Sequence, residues 1–474
     1  MTNWSEYQTA VFNFVRNETG NGVVLARAGS GKTSTIVEAC ACTKPTARVL
    51  FVAFNKTIAD ELAQRVPGNT TASTLHSFGF KAVKAAWGRR AELKKDKERD
   101  LAQRILPRDA DAGDVTNLCK LVSMAKAWLA YDAPDLNELA EEYECTSDRF
   151  SEEQWAGFAQ FILDESKRPE LGVSFDDMVW LPVALKLPVV TYDMVFVDET
   201  QDLNRAQAEL VMRATGKAGR VIAVGDDRQS IYTFRGADSA SIERIIERLS
   251  ATTMPLSITY RCPRAVVALA QRFVPDLQAA EGAAEGVVRT VHGSEIVVRS
   301  ALPGDAIISR TNAPLVRLTL ALLRAGKRAA MRGRDVGAGI AKLIRKAKTN
   351  SITDFAAWLT AYETRERTRL IKAGKEDRVE ELADRVETIH ALSEGCATVA
   401  ELLTRIESLF DDAAPNGSRI LLSSTHKAKG LEWDRVWLLW DTYRPSGVRE
   451  EQNLCYVAIT RAKAELVIVE GVKK

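Results

Sequence analysis

The chain has 474 residues, 46% of them hydrophobic and 27% charged, which is too long for one simple core and fits a globular protein of roughly two to four domains. A formal net charge of +2 gives no global basic surplus for nucleic acid, and no apolar run approaches the roughly 20 residues of a membrane span. The opening Met-Thr-Asn-Trp-Ser-Glu has no basic region followed by a hydrophobic one, and the seven scattered cysteines form no Cys-x-x-Cys pair, so reduced, mostly buried thiols in a cytoplasmic protein are expected.

The first apolar run, 22–26, leads into Ala28-Gly29-Ser30-Gly31-Lys32-Thr33 and then into a helical pattern. This is a phosphate-binding loop between a strand and a helix. Small residues let the backbone amides of Gly29, Ser30 and Gly31 converge on a β-phosphate; Lys32 adds a point charge near the β/γ-phosphates, and Thr33 offers a hydroxyl to Mg²⁺. Ala26 stands where the pattern's first glycine is usual. A second β-branched run, 48–54, is again followed by helical periodicity, and the stretch 87–185, rich in Ala, Leu, Lys and Glu, reads as a helical insertion. The run 193–197 ends in Asp198 and Glu199. At a strand end beside a phosphate loop, the first can hold Mg²⁺ and the second can polarise an attacking water. A further run follows at 219–224.

Strand candidates in the second half lie at 252–258, 304–309, 418–423, 434–439 and 464–470, interrupted by a charged helical stretch at 335–412. Strands alternating with helices predict parallel sheets covered on both faces. The expected organisation is a first core at 1–86 and 186–250 with an insertion at 87–185, and a second core at 251–334 and 413–474 with an insertion at 335–412. From Arg317 to Lys348 the chain carries Arg324, Lys327, Arg328, Arg332, Arg334, Lys342, Arg345 and Lys346 against the single acid Asp335. Such a surplus suits a phosphate backbone, or else a solvated helical face balanced by the acidic 361–384 region.

Residues 225–236 (Gly-Asp-Asp-Arg-Gln-Ser-Ile-Tyr-Thr-Phe-Arg-Gly) and 424–433 (Ser-Thr-His-Lys-Ala-Lys-Gly-Leu-Glu-Trp) resemble motifs III and V of the UvrD/Rep-type superfamily 1 DNA helicases. Residues 450–462 resemble motif VI, and Ser-Glu-Tyr-Gln at the start is similar to the adenine-reading Q motif. Val-Ala-Phe-Asn-Lys-Thr-Ile-Ala and Thr-His-Lys-Ala-Lys-Gly-Leu-Glu lean toward the F-box DNA helicase branch, with no F-box segment in the chain. The resemblance implies two RecA-like α/β P-loop NTPase cores, each with a mainly helical insertion, and an ATP- and Mg²⁺-dependent helicase of DNA repair or replication. It implies 3′→5′ movement on single-stranded DNA and at junctions with duplex, with RNA as a less favoured track.

It also implies roles. Gln8 reads the adenine edge, Tyr260 stacks on the base, Glu432 contacts the ribose and Gln229 senses the γ-phosphate. Arg261 and Arg461 reach that phosphate from the second core, which makes hydrolysis conditional on closure. Phe54, Asn55, Thr74, His76, Phe78, Phe234, Arg235, Arg310, Asn312 and His426 line a single-strand groove by stacking and phosphate contacts. Phe234 stands where relatives place Trp, Thr200 replaces Ala and Trp433 replaces Phe; none of these removes a reacting group. The short span from Asn312 to motif V marks a reduced second insertion, which bears on duplex engagement, autoinhibition and processivity. Two other functions fit the same residues: a translocase that strips proteins with little unwinding, and a nucleic-acid-binding regulator switched by ATP. No fused nuclease is expected.

Overall fold

The computed structural model describes residues 4–53, 55–143, 145–231, 241–372, 376–410 and 418–472. The chain divides into two compact units, Met1–Ser257 and Ile258–Lys474. No helix among the described residues is long and apolar enough to cross a membrane, and all seven cysteines are unbridged.

In the first unit, strands β1 (Gly22–Ala26), β2 (Val49–Ala53), β3 (Thr70–Thr74), β4 (Tyr192–Val197), β5 (Thr215–Gly225) and β6 (Thr252–Leu256) form one sheet in the order β3-β2-β4-β5-β1-β6. Every pairing is parallel. The inner strands are continuous apolar runs because both faces are covered, and alternate side chains serve opposite faces. Val24, Phe51, Phe196 and Ile222 pack with Val11 and Ile36 on one side; Val23, Leu50, Val195 and Val221 pack with Leu75 and Leu210 on the other. Residues 252–256, expected to open the second core, instead extend the first sheet. Thr253 and Met254 pair with Val23 and Val24, and Met254 and Leu256 fill the first unit's core.

The first insertion is helical, as its composition predicts, with helices Lys97–Ile105, Ala112–Trp128, Ala133–Glu142, Glu152–Glu165 and Asp177–Ala184. It has a core of its own, including Leu118, Leu121, Trp155 and Trp180. Within it lies a buried ionic cluster. Lys97 and Lys126 reach Asp177 at 2.6 and 2.8 Å, and Lys126 reaches Glu98 at 2.5 Å. At Asp177 the two ammonium groups outweigh the opposing effect of burial and hold the carboxyl below its ordinary range.

In the second unit, β7 (Ile258–Thr259) and β8 (Gln278–Ala279) form a short parallel pair. The main sheet contains β9 (Val287–His292), β10 (Ala306–Ser309), β11 (Ala329–Met331), β12 (Ile420–Ser424), β13 (Trp433–Leu439) and β14 (Ala462–Glu470) in the order β11-β12-β10-β13-β14-β9. It too is wholly parallel. The second insertion comprises helices Arg334–Arg345, Ile352–Lys372, Glu376–Ser393 and Val399–Leu409. Unlike the first, it shares one core with its sheet: Phe355, Val386 and Leu402 pack into the same cluster as Ile307, Leu422 and Trp437.

Candidate nucleotide and nucleic-acid sites

The loop after β1 turns into the helix Lys32–Ala41 through Gly29 and Gly31, both left-handed at φ 70° and 76°. A side chain is costly in that conformation, and Gly31 caps the helix without a side-chain bond, so the first-turn amides are left to point outward. Ser30 Oγ is buried with no hydrogen-bond partner among the described residues, and Ala28 is 1% exposed. A tight, uncapped, amide-rich loop with an unsatisfied buried hydroxyl fits a phosphate group.

Around it the carboxyl ends of β4 and β5 supply charge. Lys32 Nζ lies 3.1 Å from Glu199, and Thr33 Oγ1 lies 3.5 Å from Asp198. Burial works against the Lys32 charge, yet Glu199, Asp226 and Asp198 together hold the ammonium above the ordinary lysine range. Burial, then the neighbouring Glu199, push Asp198 up to about 6. Glu199 itself sits at φ 50°, a strained conformation of the kind that collects at functional sites.

Three partners of this site were not singled out by sequence reasoning. Asp226, fully buried, accepts from Arg27 at 3.2 Å and from Gln229 Nε2 at 2.7 Å. Arg27 also reaches Asp227 at 2.6 Å. Gln201 donates to Glu199 at 2.5 Å and accepts from the Asp226 amide at 3.0 Å, tying the two strand ends together. Adjacency in sequence was the available signal: Arg27 directly precedes the phosphate loop, Gln201 follows the acidic pair and Asp226 lies three residues before Gln229. Gln8 is buried; its Oε1 accepts from Ser5 N at 3.0 Å and its Nε2 donates to Thr35 Oγ1 at 2.9 Å, and Thr35 in turn bonds the Gly31 carbonyl. The glutamine thus braces the phosphate loop from behind.

In the second unit, Tyr260 is 51% exposed directly after β7. Its neighbour Arg261 donates to Glu432 at 2.5 Å, so two residues expected to meet nucleotide meet each other. Arg461 is 1% exposed, with its guanidinium on the Val457 and Leu431 carbonyls and on Thr460 Oγ1.

The expected groove residues fall into three groups. Phe54, Phe234 and Arg235 lie outside the described residues. Asn55 and Thr74 cap the helices Lys56–Ala63 and Leu75–Trp87, while Arg310 holds Glu451 at 2.9 Å and Asn312 donates to Asp384. Phe78 is a correction. It occupies the inner face of its helix, 5% exposed in the core beside Tyr192, where a base cannot stack. His76 and His426 remain partly exposed. His76 stacks at 4.0 Å on Phe175, an aromatic that sequence reasoning passed over although it is 63% exposed. Burial lowers the His76 pKa to about 4. His426 lies in the short helix Thr425–Ala428 at the end of β12. There Thr425 Oγ1 donates to the Ser309 carbonyl at 3.2 Å and meets Tyr443 Oη at 2.5 Å, fastening β10, β12 and the segment after β13.

The family profile described as "UvrD/REP helicase N-terminal domain" matches residues 7–250, and that described as "UvrD-like helicase C-terminal domain" matches 232–471. The chain is 25% identical to F-box DNA helicase protein 1 of Schizosaccharomyces pombe over 95% of its length and 56% of the relative's. It is 23% identical to F-box DNA helicase 1 of Gallus gallus over 95% of its length and 47% of the relative's. It is 30% identical to the ATP-dependent DNA helicase Rep of Escherichia coli over 46% of its length and 36% of the relative's. The chain therefore spans about half the length of the F-box relatives it matches.

Proposed function

Because the chain belongs to the UvrD/Rep helicase family, we propose that it is an ATP-driven DNA helicase moving 3′→5′ on single-stranded DNA and separating strands at junctions with duplex. One observation carries the reading: the uncapped loop, Lys32 and the carboxylates Asp198 and Glu199 converge within a single unit. Loop amides and Lys32 bind the phosphates, and Glu199 takes the role of base toward the attacking water. Thr33 and Asp198 would hold Mg²⁺, which supplies charge neutralisation on the phosphates. Gln229, held by Asp226, is the γ-phosphate sensor. Arg261 and Arg461 stabilise the charge that develops on the transferred phosphoryl, while Tyr260 and Glu432 take the base and the ribose. His76, His426, Asn55, Thr74, Arg310 and Asn312 contribute to the single-strand path.

The test is ATPase activity with and without single-stranded DNA and RNA, followed by unwinding of duplexes tailed at either 3′ or 5′ ends. DNA-stimulated turnover with selective opening of the 3′-tailed duplex is expected. Stimulated turnover without strand separation would favour a protein-stripping translocase, and opening of only the 5′-tailed duplex would reverse the polarity. Glu199→Gln should lower turnover on the order of 10² to 10⁴-fold while nucleotide binding persists. Full turnover in that variant would remove Glu199 from its role.

A further inference from the structure

Arg27 stands at the first position that the phosphate-loop pattern leaves open after Ala26, so the pattern prescribes no cation there. The fold gives this residue a fixed base. β1 and β5 are neighbours in the sheet, with Leu25 opposite Gly225, so Arg27 and Asp226 emerge from adjacent strand ends. The Arg27 amide donates to the Leu256 carbonyl on β6 at 3.0 Å, and its carbonyl accepts from the Ser30 amide at 3.1 Å, closing the first turn of the loop. The side chain is buried, and Nη1 lies 3.2 Å from Asp226 and 2.6 Å from Asp227.

On the far side of that contact is Gln229. Oδ1 of Asp226 accepts from Arg27 and from the Arg228 amide, while Oδ2 accepts from Gln229 Nε2 at 2.7 Å. The Gln229 amide donates to the Asp226 carbonyl at 2.9 Å. Burial pushes the Asp226 carboxyl up, opposed first by Lys32 and then by Arg27. Of these two cations Arg27 makes the contact, and Lys32 pairs with Glu199. A guanidinium is always charged, and beside it a carboxylate is an acceptor with no proton to give. Gln229 can then offer Asp226 only its Nε2 end, which sets the amide in one sense. A neutral acid or an amide in place of the carboxylate could donate to Oε1 and turn Gln229 over. Nε of Arg228 lies 3.3 Å from Asp227, so Asp227 retains a cation when Arg27 is replaced and the loss falls on Asp226.

We propose that Arg27 is a positioning residue for ATP hydrolysis: through Asp226 it seats Gln229 and ties that residue's setting to the phosphate loop. The inference rests on the proposed role of Gln229 as γ-phosphate sensor and deepens it. Arg27 is anchored by its own backbone to the loop and to β6, so the sensor and the cradle for the nucleotide are held as one piece. Positioning of this kind acts on turnover and not on the capture of nucleotide. The guanidinium meets carboxylates, whereas loop amides and Lys32 meet the phosphates.

The experiment compares the full chain with Arg27→Gln, Gln229→Ala and the double variant Arg27→Gln/Gln229→Ala. Single-strand-stimulated ATPase gives kcat and KM, and equilibrium binding of a fluorescent ADP analogue is measured beside it. ADP lacks the γ-phosphate, so its affinity reports on the loop apart from the sensor. Arg27→Gln should lower kcat on the order of 10- to 100-fold while ADP affinity stays within about threefold. The double variant should be no slower than Gln229→Ala, because both changes remove one function. A further variant, Arg27→Gln/Asp226→Asn, leaves no carboxylate stranded without its cation and so protects the fold. It still lacks the acceptor-only partner for Gln229, and its kcat should be as low as that of Arg27→Gln. Unchanged kcat in either Arg27→Gln or this last variant overturns the proposal. So do losses that multiply when Arg27→Gln and Gln229→Ala are combined, or an ADP affinity in the last variant that falls in step with its kcat. Natural kcat in Gln229→Ala would instead overturn the sensor reading, whatever Arg27→Gln does.

Discussion

Tyr443 and His76 carry the sharpest tests at the level of single residues. Tyr443→Phe removes only the hydroxyl that meets Thr425, leaving the ring buried. It should cost about 1 kcal/mol in urea unfolding and weaken single-strand stimulation by loosening the end of β12, while ATPase without DNA is unaltered. A stability cost with unchanged stimulation would make the interaction purely structural. The His76 pKa of about 4, lowered by burial, means that the folded state binds fewer protons than the unfolded one between about pH 4 and 6.5. Its contribution to stability is therefore complete above about 6.5 and is lost as pH falls toward about 4. Between about pH 7.5 and 5 the natural chain should lose on the order of 1 kcal/mol more than His76→Phe, which preserves the ring stack; equal losses would refute the assignment. Legibility at this scale was uneven. Lys32, Thr33, Asp198 and Glu199 come together as their motifs imply because their spacing is set by the strands that carry them. Gln8, Arg310 and Asn312 have the expected identities, but capping and ion pairing engage them locally, and pairing across distant segments is not written in a motif.

Among elements, the buried strands were readable and, of the peripheral ones, only 252–256 was. β1, β2, β4 and β13 are covered on both faces, which enforces apolar runs. β3, Thr-Thr-Ala-Ser-Thr, lies at a sheet edge, β9, Val-Val-Arg-Thr-Val-His, lies at another edge with no fully buried residue, and β11 has three residues, so none carries enough apolar pattern to register. The strand 252–256 was legible as a strand but not in its allegiance, since neighbourhood in sequence says nothing about which sheet has an open edge. Close packing of elements yields its own prediction. The helix Leu75–Trp87 approaches Asp177–Ala184 so tightly at Gly79 that a Cβ there would collide with the Met178 carbonyl oxygen. Backbone cannot yield as a side chain does, so Gly79→Ala should destabilise by about 2 to 4 kcal/mol and disturb the adjoining His76–Phe175 stack. A midpoint in urea within error of the natural chain would contradict that packing.

For the molecule as a whole, the two insertions differ in kind. The first has a separate core and the second is continuous with its sheet. Leu402→Ala should therefore cost about 2 to 5 kcal/mol and raise hydrogen exchange in β10 and β12, whereas Leu121→Ala should loosen its own helices and leave β1 and β5 protected. Exchange that rises equally in both sheets for both variants would erase the distinction. Composition marked both stretches as helical, but the number of cores depends on which faces meet, and that emerges only in three dimensions.

Lys97, Lys126, Glu98 and Asp177 commit charges from three separate helices to one dry spot. Such a knot cannot be tied halfway. A partial assembly strands an ion away from both water and its counter-ion, so intermediates with one helix detached are penalised. The first insertion is thereby made to assemble as a unit, at the cost of tolerating single replacements at the knot poorly.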